Sequence, residues 1–106
     1  MYTKKDSLIQ MVWEKGEILP YKKSNVWRLD ACGTFIKRDA YGTTGTYGWE
    51  IDHIIPKAKG GSDDMSNLQP LQWENNRAKS DGMEFPVVIA KNGRNIKDLF
   101  SNILLE

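Results

Sequence analysis

The tightest constraint on this fold is the run WEIDHII, residues 49–55, together with the turn-rich stretch behind it. Trp49, Ile51, His53 and Ile55 alternate with Glu50, Asp52 and Ile54, so an extended chain sends the two sets to opposite faces of one strand. The next stretch, PKAKGGSDDMSN, is dense in turn formers. LQPLQWENNRAKSD then reads as a short strand or turn, followed by a helix that begins near Leu71 or Gln72.

The rest of the chain frames this segment. Asp6 or Ser7 can cap a helix through SLIQMVWEK, with Leu8, Ile9, Met11 and Val12 near one face and Gly16 as its stop. NVWRL and GTFIKR are strand-like, with the turn Asp-Ala-Cys-Gly between them. TTGTYG is a loop. Beyond Gly82, EFPVVIAKNGRNI reads as strand, Asn-Gly turn and strand. NIKDLFSNILLE fits a closing helix with Ile96, Leu99, Phe100, Ile103 and Leu104 inward.

With 106 residues the expectation is one domain with one modest core. A net charge of +1 gives no global pull toward nucleic acid, so any anion-binding surface must come from local clustering. One cysteine, Cys32, excludes an internal disulfide and an all-cysteine zinc site. The first ten residues lack the apolar centre of a leader, and no apolar run approaches spanning length. The expectation is a reduced, cytoplasmic protein with no membrane partner.

The chemistry concentrates around His53, the single histidine. Asp52 and His53 are neighbours on a strand, so they face opposite ways, and one can hold a cation while the other handles a proton. Asn67 and Asn76 come later, at the end of the loop and in the expected helix. A carboxylate and an amide carbonyl are hard oxygen donors that suit one divalent cation, Mg²⁺ or Mn²⁺. A neutral imidazole beside such an ion can take a proton from water. Lys57, Lys59, Arg77 and Lys79 flank these residues and could hold an anionic backbone. The aromatic and basic stretch from Tyr21 to Arg38, with Arg28, Lys37 and Arg38, is the remaining candidate for contacts to nucleic acid.

EIDHIIPKAKGGSDDMSNLQPLQWENNRAKSD resembles the HNH endonuclease family in order and spacing: Asp-His, a proline turn, Gly-Gly, Asn-Leu-Gln-Pro-Leu, then Asn-Arg-x-Lys-Ser-Asp. The likeness runs from about Trp49 to Asp81 and extends faintly to Arg28, Asp30 and Cys32-Gly33. It implies an α+β fold with a ββα-metal core, a central β-hairpin and helix, flanked by an N-terminal helix and a C-terminal strand and helix segment. It also implies a metal-dependent cut of phosphodiester bonds in DNA. His53 would be the general base and Asp52 a metal ligand. Asn67 would hold the hairpin loop and help orient the histidine, and Asn76 would be the second metal ligand. Many relatives carry two Cys-x-x-Cys knuckles for a structural zinc; the matching positions here are Leu29 and Cys32, then Gln72 and Asn75. No structural zinc is therefore expected, and Trp27, Phe35, Tyr41, Tyr47, Trp49 and Trp73 are expected to replace that staple with an aromatic core.

So short a chain leaves little room for a separate sequence-reading element, which favours nicking or weakly specific cleavage. A one-site nuclease that breaks both strands must act twice or pair up. A homodimer, or a place in a larger phage or defence complex, stays open. The alternative is a catalytically silent module of the same fold that binds nucleic acid or another protein.

Overall fold

The computed structural model describes residues 3–80 and Gly82. The strand, turn and helix expected after Gly82 lie outside the described residues. Within them, the chain forms helix α1 (Lys4–Trp13), hairpin strands β1 (Trp27–Leu29) and β2 (Phe35–Lys37), hairpin strands β3 (Trp49–His53) and β4 (Leu68–Gln72), and helix α2 (Trp73–Lys79). This is a small α+β fold of two helices and two antiparallel hairpins, and β3, β4 and α2 form a ββα unit.

Helix α1 starts three residues earlier than its sequence suggests. Thr3 caps it: the Asp6 N–H donates to the Thr3 hydroxyl at 3.0 Å and the Thr3 N–H donates to the Asp6 carboxylate at 3.1 Å. Asp6 is thus the third helical residue, closing the capping box, rather than the cap. The buried face also differs. Ile9, Val12 and Trp13 face the core, whereas Leu8 and Met11 are exposed. Trp13 has the largest apolar surface on the helix, and its burial fixes the rotation.

The core lies between α1 and the β3–β4 hairpin. Ile9, Val12 and Trp13 pack with Ile36, Trp49 and Leu68. The Trp13 and Trp49 rings lie 5.5 Å apart, and Tyr41 meets Trp49 edge-on at 4.9 Å. The buried indoles keep their N–H groups satisfied, Trp13 on the Ser24 carbonyl and Trp49 on the Lys37 carbonyl. The Lys15 ammonium caps the Met65 and Leu68 carbonyls, tying the end of α1 to the start of β4. Ile55, expected on the buried face of the strand, is exposed because β3 ends at His53 and the alternation stops with it.

The register of β3 with β4 pairs Trp49 with Gln72, Asp52 with Gln69 and His53 with Leu68. Helix α2 crosses both strands. Its cap is Gln72, whose side-chain oxygen accepts from the Glu74 and Asn75 N–H groups. This single turn of sequence therefore ends a strand, starts a helix and sets where Asn76 and Lys79 project.

Candidate active site

A cleft of about 280 Å³ opens between the end of β3, the loop after it and α2, lined by Asp52, His53, Lys57 and Asn76 among others. Residues as far apart in sequence as Ile51 and Ser80 meet there because the hairpin register and the α2 cap bring them together. Asp52 and His53 both border the cleft. The alternation that should send them to opposite sides ends at His53, the last residue of β3.

Asp52 is buried. Its Oδ2 accepts from the Gln69 amide at 2.9 Å, directly across the hairpin, and its Oδ1 lies 3.3 Å from the Lys79 ammonium. Lys79 also donates to the His53 carbonyl at 2.9 Å. Asn76 donates its amide N–H to Glu50 at 2.9 Å, and that orientation leaves its carbonyl oxygen as the end not committed to Glu50. One carboxylate and one amide oxygen on the same cleft fit a single hard divalent cation that keeps several waters. Among the described residues, no three His, Cys, Asp or Glu side chains cluster as a metal cage.

His53 is about one quarter exposed, and its Nε2 lies 2.8 Å from Asp63 Oδ1. Asp63 Oδ2 in turn accepts from Lys57 at 3.1 Å. The hydrogen bonds from His53 and then Lys57 hold the Asp63 carboxyl below its ordinary value. The sequence reading missed Asp63. Its signal was a carboxylate ten positions after the histidine, across a loop closed by Gly60-Gly61.

Asn67 is buried and belts that loop. Its carbonyl oxygen accepts from the Ile55 N–H at 2.8 Å, and its amide donates to the Ile55 carbonyl at 3.0 Å and the Ser62 carbonyl at 2.8 Å. It touches the loop backbone on both sides rather than the imidazole. Gly60 sits at φ +88° to close the turn. At Gly61 a Cβ would come within 1.7 Å of the Ile55 carbonyl oxygen, so the loop closes this tightly only on glycine.

The basic residues divide into two groups. Lys57, Lys59 and Arg77 are exposed near the cleft; Arg77 lies 3.8 Å from Glu50 and covers the Trp73 ring at 4.9 Å. Two expected phosphate contacts need correction. Lys79 is 3 % exposed and spends its charge on Asp52. Arg28 is 9 % exposed, and its guanidinium donates to the Ser24, Glu14 and Gly16 carbonyls, neutralising the C-terminal end of α1. Lys37 lies over the Trp27 ring at 5.7 Å, and Arg38 donates to Gln10 on α1, so neither joins the cleft.

A second polar centre stands where relatives carry zinc knuckles. Asp30 is buried, and its carboxylate accepts from the Cys32 and Thr34 N–H groups on one oxygen and from the Gln72 N–H and Asn75 amide on the other. Cys32, Gln72 and Asn75 occupy three of the four knuckle positions. The staple is thus a hydrogen-bonded carboxylate; of the six aromatic residues expected to replace it, Trp49 is buried in the core and Tyr41 packs against it, whereas Tyr47 is exposed. Burial pushes the Asp30 carboxyl above its ordinary value, against these hydrogen bonds, which pull it down.

A hairpin bearing Asp-His and a succeeding helix bearing asparagine define the ββα-metal class of nuclease fold. Residues 31–82 match the family model described as HNH endonuclease. Searches of curated proteins and of solved structures gave no match. The family points to a nuclease or nucleic-acid-related function with nucleic acid as substrate, and its nucleases typically use a divalent metal. Among the described residues no helix is long and apolar enough to cross a membrane.

Proposed function

We propose that this protein is a metal-dependent endonuclease that hydrolyses phosphodiester bonds in DNA, by nicking or with weak sequence specificity. The observation that carries this reading is the convergence of Asp52, His53 and Asn76 on one cleft. His53 accepts the proton of the attacking water. Asp52 and Asn76 are the residues that would hold Mg²⁺ or Mn²⁺, which when bound supplies charge neutralisation at the scissile phosphate. Asn67 keeps the loop beside His53 closed. Lys57, Lys59 and Arg77 hold the DNA backbone, a sequence-independent contact that fits weak specificity.

The test is plasmid nicking with Mg²⁺, Mn²⁺ or EDTA, comparing wild type with His53→Ala. Metal-dependent nicking that falls about 10²–10⁴-fold in the variant is expected. DNA affinity, metal affinity and fold should hold, since the imidazole packs against the surface loop. Full activity in His53→Ala would remove the general-base role.

One observation favours a second reading. The Lys79 ammonium already balances the Asp52 charge within the protein. A catalytically silent module that binds nucleic acid or another protein needs no more than that. Salt-sensitive DNA binding without metal-dependent nicking would select a nucleic-acid module, and neither activity would select protein interaction.

A further inference from the structure

The loop between β3 and β4 does more than connect strands. Asn67 fixes both neighbours of Asp63: its side-chain amide donates to the Ser62 carbonyl at 2.8 Å, and its backbone N–H donates to the Asp64 carbonyl at 2.8 Å. Gly61 donates to the Pro56 carbonyl at 3.0 Å and packs against the Ile55 carbonyl oxygen. The backbone that carries Asp63 is therefore pinned before and after it. Its carboxylate is clamped as well, by His53 Nε2 at 2.8 Å on one oxygen and by Lys57 at 3.1 Å on the other.

A carboxylate can only accept a hydrogen bond, so a neutral imidazole facing it must carry its proton on Nε2. The other ring nitrogen, Nδ1, is then the acceptor. We propose that Asp63 is the positioning residue of this site, holding His53 in the Nε2–H tautomer so that Nδ1 receives the proton, and that Asn67 acts on the histidine through Asp63. This rests on the nuclease reading of the cleft. It also gives Asn67 a physical route to the imidazole, which it does not touch itself. Asp63 is 70 % exposed at its side chain, so the bond adds little to stability. Its effect is to select one orientation and one tautomer.

His53 is the single histidine, so nitrogen-15 spectra of the labelled protein report one imidazole. The experiment records its tautomer at alkaline pH, together with metal-dependent nicking, in wild type, Asp63→Asn, Asp63→Glu and Asp64→Asn. Wild type is expected to hold the Nε2–H form. The isosteric Asp63→Asn can donate as well as accept, so it should give mixed tautomers. Its kcat should fall on the order of 10-fold, the low end for residues that orient a functional group, while KM stays within about twofold. Asp63→Glu should recover most of kcat, and Asp64→Asn should match wild type. Wild-type nicking with an unchanged tautomer and kcat in Asp63→Asn overturns this inference and leaves the nuclease reading standing. A fall in kcat without any change in tautomer also overturns it. A wild-type chain that never nicks overturns the nuclease reading, and the catalytic meaning of Asp63 with it, whatever the spectrum.

Discussion

The β3–β4 hairpin has two unlike neighbours. Toward α1 it is apolar: Trp13, Val12 and Ile9 close on Trp49 and Leu68, with aromatic rings in contact. Toward α2 it is polar: Glu50 meets Asn76 and Arg77, Asp52 meets Lys79, and the junction into α2 hangs from Asp30. The apolar contact draws its free energy from buried area rather than from bond angles, so it supplies cohesion. The polar contact works only at fixed distances and angles, so it supplies position. A cleft whose residues must be placed closely is built on the polar side, and the apolar side keeps the hairpin folded while it is.

This contrast is strongest for Trp49 and Asp30. Trp49→Ala should cost roughly 3–5 kcal/mol of stability, the range for deleting a buried tryptophan, as measured by urea denaturation. Asp30→Ala should cost roughly 2–4 kcal/mol, since it removes the buried acceptor shared by the Cys32, Thr34, Gln72 and Asn75 donors. If Asp30→Ala cost no more than a surface change, the polar side would be ornament and the contrast would fail. The two variants should also differ with pH. The folded state holds the Asp30 proton more tightly than the unfolded chain, because burial raises its carboxyl. Stability from this group is thus complete below the unfolded value and is lost as pH rises through the raised folded one. Wild type should gain on Asp30→Ala as pH falls through that window, whereas Trp49→Ala, which keeps Asp30, should follow the wild-type trend.

The smallest effect belongs to the surface around the cleft. Lys59→Ala and Arg77→Ala should change stability by no more than about 0.5 kcal/mol. Each should lower the slope of DNA affinity against salt by about 0.9, one phosphate contact apiece. Lys79→Ala should do the reverse, reducing stability rather than acting through the salt slope, because its ammonium is buried on Asp52. An unchanged slope in Lys59→Ala and Arg77→Ala would move the DNA away from this face.

Local sequence was enough for the main elements and for the chemistry on offer. Alternation in WEIDHII placed a strand, Gly60-Gly61 and Asn67 placed a closed loop, and the run Asp-His to Asn-Arg carried the family likeness matched over residues 31–82. Those are matters of spacing, side-chain size and backbone freedom. Packing of the whole chain settled which charges are spent inside. Lys79 and Lys59 are both lysines near the motif, but the pitch of α2 turns one onto Asp52 and the loop leaves the other in water. Arg28 is drawn to the carbonyls at the end of α1, which lie 12 and 14 residues away in sequence. Asp63 reaches His53 because Asn67 folds the intervening loop back on itself. Burial and pairing depend on what stands opposite in space, and the register, helix rotation and loop closure that set this emerge only when the whole chain packs.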